Sequence, residues 1–164
     1  MRVRFSLGLL LGMLVFIADQ ASKYAVLHGL HLQDGRTLSP LPVLDLVLVW
    51  NHGITFGLLA GFGAKVLLAA VASLVIVGLI IWMVRTNSWL ITLASGAIAG
   101  GAAGNVLDRL RYGAVVDFIH VHIGALAYPW VFNIGDSAIV CGVIALIIDN
   151  LLRKPPVAAN RREG

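Results

Sequence analysis

Two aspartates of this chain, Asp117 and Asp136, stand at the edges of long apolar runs with no Lys or Arg at helical or strand-neighbour spacing. Three other acids, Asp19, Asp108 and Asp149, have such a neighbour. Asp19 precedes Lys23 by four residues, which puts acid and base on one helix face with the acid N-terminal. Asp108 is followed by Arg109 and Arg111, and Asp149 by Arg153 at i+4. Asp19 and Asp108 therefore read as members of structural ion pairs, and Asp149 as an anchor at a membrane interface. Two carboxylates left without a cation cannot easily both ionise if they meet in a partly dry site. One pKa rises and the pair tends to hold a single proton. Such a pair offers an acid and a base at once, which is what water-mediated hydrolysis of an amide requires.

The elements that must bring these residues together are membrane helices. Of 164 residues, 59% are hydrophobic and only 12% charged, far from the balance of a soluble domain. A span needs about 20 apolar residues to cross about 30 Å of hydrocarbon. Four runs meet that need: roughly Phe5 to Leu27, Ala64 to Val84, Trp89 to Leu110 and Asn133 to Leu152. The first is not a cleaved leader, because Ala18-Asp19-Gln20-Ala21 is a poor small-residue cleavage site and three more spans follow. The chain is thus read as one integral membrane catalytic domain over residues 1–154 with a basic cytoplasmic tail at 155–164. The single Cys, Cys141, can form no internal disulfide and reads as a small core or lipid-facing residue. The formal charge of +4 sits at segment ends rather than in one stripe, which argues against nucleic acid as a partner.

Seven of the twelve Lys and Arg residues fall on one side if both termini are cytoplasmic, and that orientation is adopted. It brings the intramembrane polar residues to one depth. Asp19 lies about 14 residues, or roughly 21 Å, along the outward-running first span. Asn105, Asp108 and Arg109 fall near the outer end of the third, Asn133, Asp136 and Ser137 open the fourth, and Asn51 to Gly57 precede the second. Four pieces of chain thus deliver polar groups to the outer leaflet, where each ionisable group costs on the order of 2.5–3.5 kcal/mol and marks function. Between spans three and four, GAVVDFIHVHIG alternates like an extended element carrying Asp117, and PVLDLVLVWNHGITFG reads as strand, turn, strand. Trp50, Tyr128 and Trp130 suit an interfacial belt. Gly100, Gly101 and Gly104 read as close-packing residues of the third span. His120 and His122 alternate on a strand with no further clustered ligands, so neither a metal nor any other cofactor is expected. A proton-coupled transporter would spread its polar groups through the bilayer and show a repeat, and a purely structural subunit would leave Asp117 and Asp136 without a purpose.

The chain also resembles a known family. DQASK at Asp19 to Lys23, NHGITFG at Asn51 to Gly57, GGAAGNVLDRL at Gly100 to Leu110, VVDFI at Val115 to Ile119 and FNIGDS at Phe132 to Ser137 are similar to the motifs of bacterial lipoprotein signal peptidases (signal peptidase II), in that family's order. The resemblance implies an all-α membrane protein of four transmembrane helices, with a small extracytoplasmic β-rich element between helices 1 and 2 and an extended segment between helices 3 and 4. It implies an aspartic endopeptidase of the bacterial inner membrane, working as a monomer among membrane lipids. The substrates would be diacylglyceryl-modified prolipoproteins, cut just before the lipid-bearing cysteine. The family's catalytic dyad falls on Asp117 and Asp136. Its supporting polar residues fall on Asp19, Lys23, Asn51, Gly53, Asn105, Asp108, Arg109 and Asn133. Thr55 and Gly135 depart mildly from the family's usual residues.

Overall fold

The computed structural model describes residues 2–30, 32, 35–53, 62–123 and 126–152. Apolar sequence of spanning length becomes helix because lipid offers backbone groups no partner outside the helix itself. The four spans are α1 (Arg2–Tyr24), α2 (Phe62–Arg85), α3 (Trp89–Tyr112) and α4 (Ile134–Leu152). All four are long and apolar enough to cross a bilayer. α1 ends in a π-helical turn over Ala25–Gly29, a few residues from the expected boundary. Ser88 starts α3 as its N-cap, its hydroxyl accepting from the Ile91 N–H at 3.3 Å. Gly113 stops the helix in the left-handed region at φ +72, its N–H donating to the Arg109 carbonyl. A side chain there would be strained.

α3 is the central helix. About 61% of its apolar window is buried, against 11% for each of the other three, whose outward faces carry residues such as Met13, Leu74 and Ile147 for lipid. Lipid tails are as apolar as leucine, so helices associate in a membrane through close packing rather than hydrophobic expulsion. The α1–α3 seam achieves this with glycines four residues apart on both helices. A Cβ on Gly96 would strike the backbone oxygen of Gly8, and one on Gly100 that of Gly12. Gly101 meets the Gly135 backbone of α4 in the same way.

At the end of the bundle where α1 and α3 finish and α4 begins lies an antiparallel sheet of order β1 (Leu38–Leu41), β2 (Leu44–Asn51), β3 (Val115–Ile123) and β4 (Leu126–Ala127). β2 pairs with β1 through the turn at Pro42 and Val43, and with β3 across the whole length of the sequence between them. Sequence reading treats the two connections as separate elements, whereas the fold makes them one sheet. The second strand expected in PVLDLVLVWNHGITFG falls on residues 54–57, outside those described, as do the tail at 155–164 and Arg153. Val49 faces Asp117 and Asn51 faces Val115 in register, so Asn51 is a diagonal neighbour of Asp117 on the same face. Val26, Leu32 and Phe118 form a small core beneath the sheet.

The glycine seam yields a test. Gly100→Val should destabilise the protein by about 1–3 kcal/mol through overpacking. Gly78→Ala, in open space on α2, should be neutral or stabilising by up to about 1 kcal/mol. Thermal unfolding in detergent would compare the two.

Candidate active site

Lys23 stands at the centre of the polar layer and is almost fully buried. An ammonium has three donors and no acceptor. All three are used: Asp19 Oδ2 at 2.7 Å, Asp108 Oδ2 at 2.7 Å and Asn105 Oδ1 at 3.0 Å. The expected Asp19–Lys23 pair is present. Asp108, expected to pair with Arg109 or Arg111, instead shares Lys23 with Asp19, because its position on α3 turns it toward α1. The second oxygens of both carboxylates work as well. Asp19 Oδ1 accepts from the Gly135 N–H at 2.9 Å, and Asp108 Oδ1 accepts from Gln20 Nε2 at 3.0 Å. Asp108 Oδ2 also takes the Val116 N–H of β3 at 3.1 Å. Gly104 leaves the space that the Asp19 carboxylate fills. One cation and two acids thereby tie α1, α3, α4 and β3 together.

The N-terminus of α4 is built by reciprocal capping. Asn133 Oδ1 accepts from the Asp136 N–H at 2.8 Å, while Asp136 Oδ2 accepts from the Asn133 N–H at 3.3 Å. This is a capping box with Asp in the third helical position. It leaves Asn133 Nδ2 free to donate to Asp117 Oδ1 at 2.7 Å and to Asn105 Oδ1 at 3.2 Å. Asn51 Nδ2 holds the other Asp117 oxygen at 2.8 Å, and Asn105 Nδ2 holds Asp136 Oδ1 at 2.8 Å. Asn133 therefore touches both acids, and three neutral amides grip them. Among the described residues neither Asp117 nor Asp136 has an ion-pair partner, as their spacing suggested.

Asp117 is only 1% exposed, and that burial pushes its carboxyl up to about 6. The Asn51 and Asn133 hydrogen bonds and the Lys23 charge oppose the rise, and the negative charge of Asp136 adds to it. Arg109 donates to the Asn105 carbonyl at 3.3 Å and is near enough for the charges of Asp136 and Asp117 to act on it. Gly53, at φ +74 in a turn closed by Asn51 Oδ1, stands beside the Arg109 guanidinium. All ten residues singled out in the sequence thus gather in one region. Gln20, which also donates to Asp19 at 3.2 Å, was passed over, although its place beside Asp19 in DQASK was a usable signal.

Two cavities adjoin the acids. One of about 710 Å³ is lined by Asp136, Ser137, Val140, Tyr128 and Phe132, and the other, of about 760 Å³, by Asp117, Val49, His52, Gly53 and Pro129. Asn51, Trp130 and Val131 line both. Carboxyls that can hold or give a proton, flanked by amide donors and open space, can activate water and protonate a leaving group.

Two outcomes follow. Lys23→Met leaves two buried carboxylates uncompensated and should cost about 3–5 kcal/mol. Asp19→Asn should cost less, since Lys23 keeps Asp108; denaturation in detergent measures both. Because the folded state holds the Asp117 proton up to about pH 6 while an unfolded carboxylate loses it near 3.8, stability should fall as pH rises through that window, by about 3 kcal/mol at most. Asp117→Asn should remove that slope in melts recorded against pH.

Residues 11–152 match the family described as signal peptidase (SPase) II. A lipoprotein signal peptidase of Rhodopseudomonas palustris is 46% identical over 158 residues, covering 93% of this chain and 96% of that relative. One of Nitrobacter hamburgensis is 44% identical over the same length and coverage. Among solved structures, a bacterial membrane enzyme determined by the in meso method at 1.9 Å resolution superposes with a TM-score of 0.80 at 28% identity, covering 91% of this chain and 95% of that one. A second such enzyme, at 2.3 Å resolution, gives 0.76 at 27% identity, with 97% and 93% covered. The chain belongs to the signal peptidase II family.

Proposed function

We propose that the protein is an intramembrane aspartic endopeptidase that removes the signal peptide from diacylglyceryl-modified prolipoproteins, cleaving before the lipid-bearing cysteine. The observation that carries this reading is the pair Asp117 and Asp136, bridged by Asn133, held by neutral amides and bordered by two adjoining cavities. The membership of the family supports the substrate class.

The reaction needs one proton shared by two carboxyls. The ionised Asp takes a proton from water as the water oxygen bonds to the scissile carbonyl carbon. The protonated Asp gives its proton to the carbonyl oxygen. Collapse of that tetrahedral species breaks the C–N bond: the proton gained from water passes to the leaving amine, and a hydroxyl proton on the former carbonyl carbon returns to the second Asp, which restores the shared proton. Asn51, Asn133 or Arg109 would donate to the charge developing on the carbonyl oxygen, a role supported for the two asparagines by their contacts with Asp117. The chain lies in the bacterial inner membrane with both termini cytoplasmic and the site near the outer leaflet, a placement supported by the Lys and Arg distribution. There the signal helix of the substrate presents its outward end, and the lipid chains stay in the bilayer. The chain works alone, without nucleic acid, metal or other cofactor.

Incubating the purified, solubilised protein with a diacylglyceryl-modified prolipoprotein should release the signal peptide. Asp117→Asn and Asp136→Asn each change little volume and should abolish release, while Asp149→Asn, tied to Ser88 at the far end of the bundle, should keep most activity. Release should survive strong chelators. Turnover near the parent rate by either dyad variant would overturn the aspartic mechanism, and loss in chelator restored by zinc would return His120 and His122 to consideration.

A further inference from the structure

β3 carries two histidines whose rings share one carboxylate. Asp45 of β2 is the register partner of His120. Its Oδ2 lies 3.3 Å from His122 Nε2 and 4.0 Å from His120 Nδ1, and its Oδ1 accepts from Ser39 of β1 at 2.6 Å. The Ser39 hydrogen bond, helped by the histidines, holds the Asp45 carboxyl below the usual carboxylate range. On its far side His120 Nε2 stands 3.1 Å from the Tyr128 carbonyl oxygen. That oxygen only accepts, so Nε2 must carry a hydrogen for the contact to hold. In the neutral ring Nδ1 is then a bare lone pair on the side of a carboxylate. In the imidazolium both nitrogens carry hydrogens, and each has an acceptor on its side. The two rings also face each other, 6.2 Å between centroids, so each imidazolium bears the other's charge as well as that of Asp45. Tyr128 and Trp130, in edge contact with each other, line the cavity at Asp136, and Trp130 also lines the cavity at Asp117.

We propose that His120 is a positioning residue whose protonation clamps the Tyr128 to Trp130 wall of both cavities onto the sheet through Asp45, with His122 adding a second cation to the same carboxylate. The wall is then held more firmly in acid than in alkali, and with it the space beside the two aspartates. The relevance to catalysis rests on the peptidase reading above, but the clamp can be read without substrate.

Hydrogen exchange of the full chain in lipid nanodiscs tests it, read at the Tyr128 amide, which donates to the Val121 carbonyl at 2.8 Å. After correction for the chemistry of exchange, protection at about pH 5.5 should exceed that at about pH 8 by roughly two- to fivefold, the range of exposed ion pairs. His120→Gln and Asp45→Asn should each erase the difference. His120→Arg, a fixed cation with several donors, should give the acid-level protection at both pH values. Equal protection at the two pH values in the parent, or a pH dependence that survives His120→Gln, would overturn the clamp. A clamped protein that cleaves no prolipoprotein would sink the peptidase reading alone.

Discussion

The Lys23 ammonium is the interaction on which the rest of the site depends. It is buried, it is shared by Asp19, Asp108 and Asn105, and each of those groups belongs to a contact that positions something else. Asp19 receives the second N–H of α4, so the ion pair reaches the helix that carries Asp136. Asp108 receives the Val116 N–H, so it reaches the strand that carries Asp117. Asn105 links the ammonium to Asp136 directly. The cation pairs with Asp19 and Asp108 and leaves Asp117 and Asp136 to be held by amides. Such a division has a physical reason. An amide can orient a carboxyl by one hydrogen bond without supplying the full charge that would fix it in the ionised form.

Close glycine packing makes the network possible. Gly8, Gly12, Gly96 and Gly100 let α1 and α3 approach until their backbones touch, and Gly104 on the same helix face opens the space for the Asp19 carboxylate. The polar layer and the packing seam are therefore one continuous interface, with backbones in contact at the glycines and charged groups at its end. The sheet completes the enclosure from the other side: β2 delivers Asn51 to one oxygen of Asp117 while α4 delivers Asn133 to the other.

Much of this was legible in the sequence because its signals are local. Four apolar runs gave four helices, the i, i+4 spacing of Asp19 and Lys23 gave their pair, and the lack of a nearby Lys or Arg set Asp117 and Asp136 apart from Asp19 and Asp108. The failures concern contacts between distant segments. Asp108 was matched to its sequence neighbours Arg109 and Arg111, whereas its partner is Lys23, 85 positions away and visible only once α1 and α3 are packed. The pairing of β2 with β3 joins two connections that sequence reading kept apart, since a strand pattern tells which residues alternate but not which strand they meet. The four-residue spacing of Gly8 and Gly12 was a readable signal of helix approach that went unused. The bridging role of Asn133 had no such signal, because a capping residue and an acid-gripping residue look alike until the fold brings β3 alongside.

The central claim is that a buried, amide-held Asp117 and its neighbour Asp136 carry one exchangeable proton in the range where an enzyme can use it. Infrared spectroscopy of the protonated-carboxyl band, titrated in the full-length protein, tests this most directly. The account predicts one carboxyl losing its proton near pH 6, absent from Asp117→Asn and moved to lower pH in Asp136→Asn, where the neighbouring charge is gone. A protein whose carboxyls all ionise in the ordinary range near 4, or whose band is indifferent to Asp117→Asn, would contradict it.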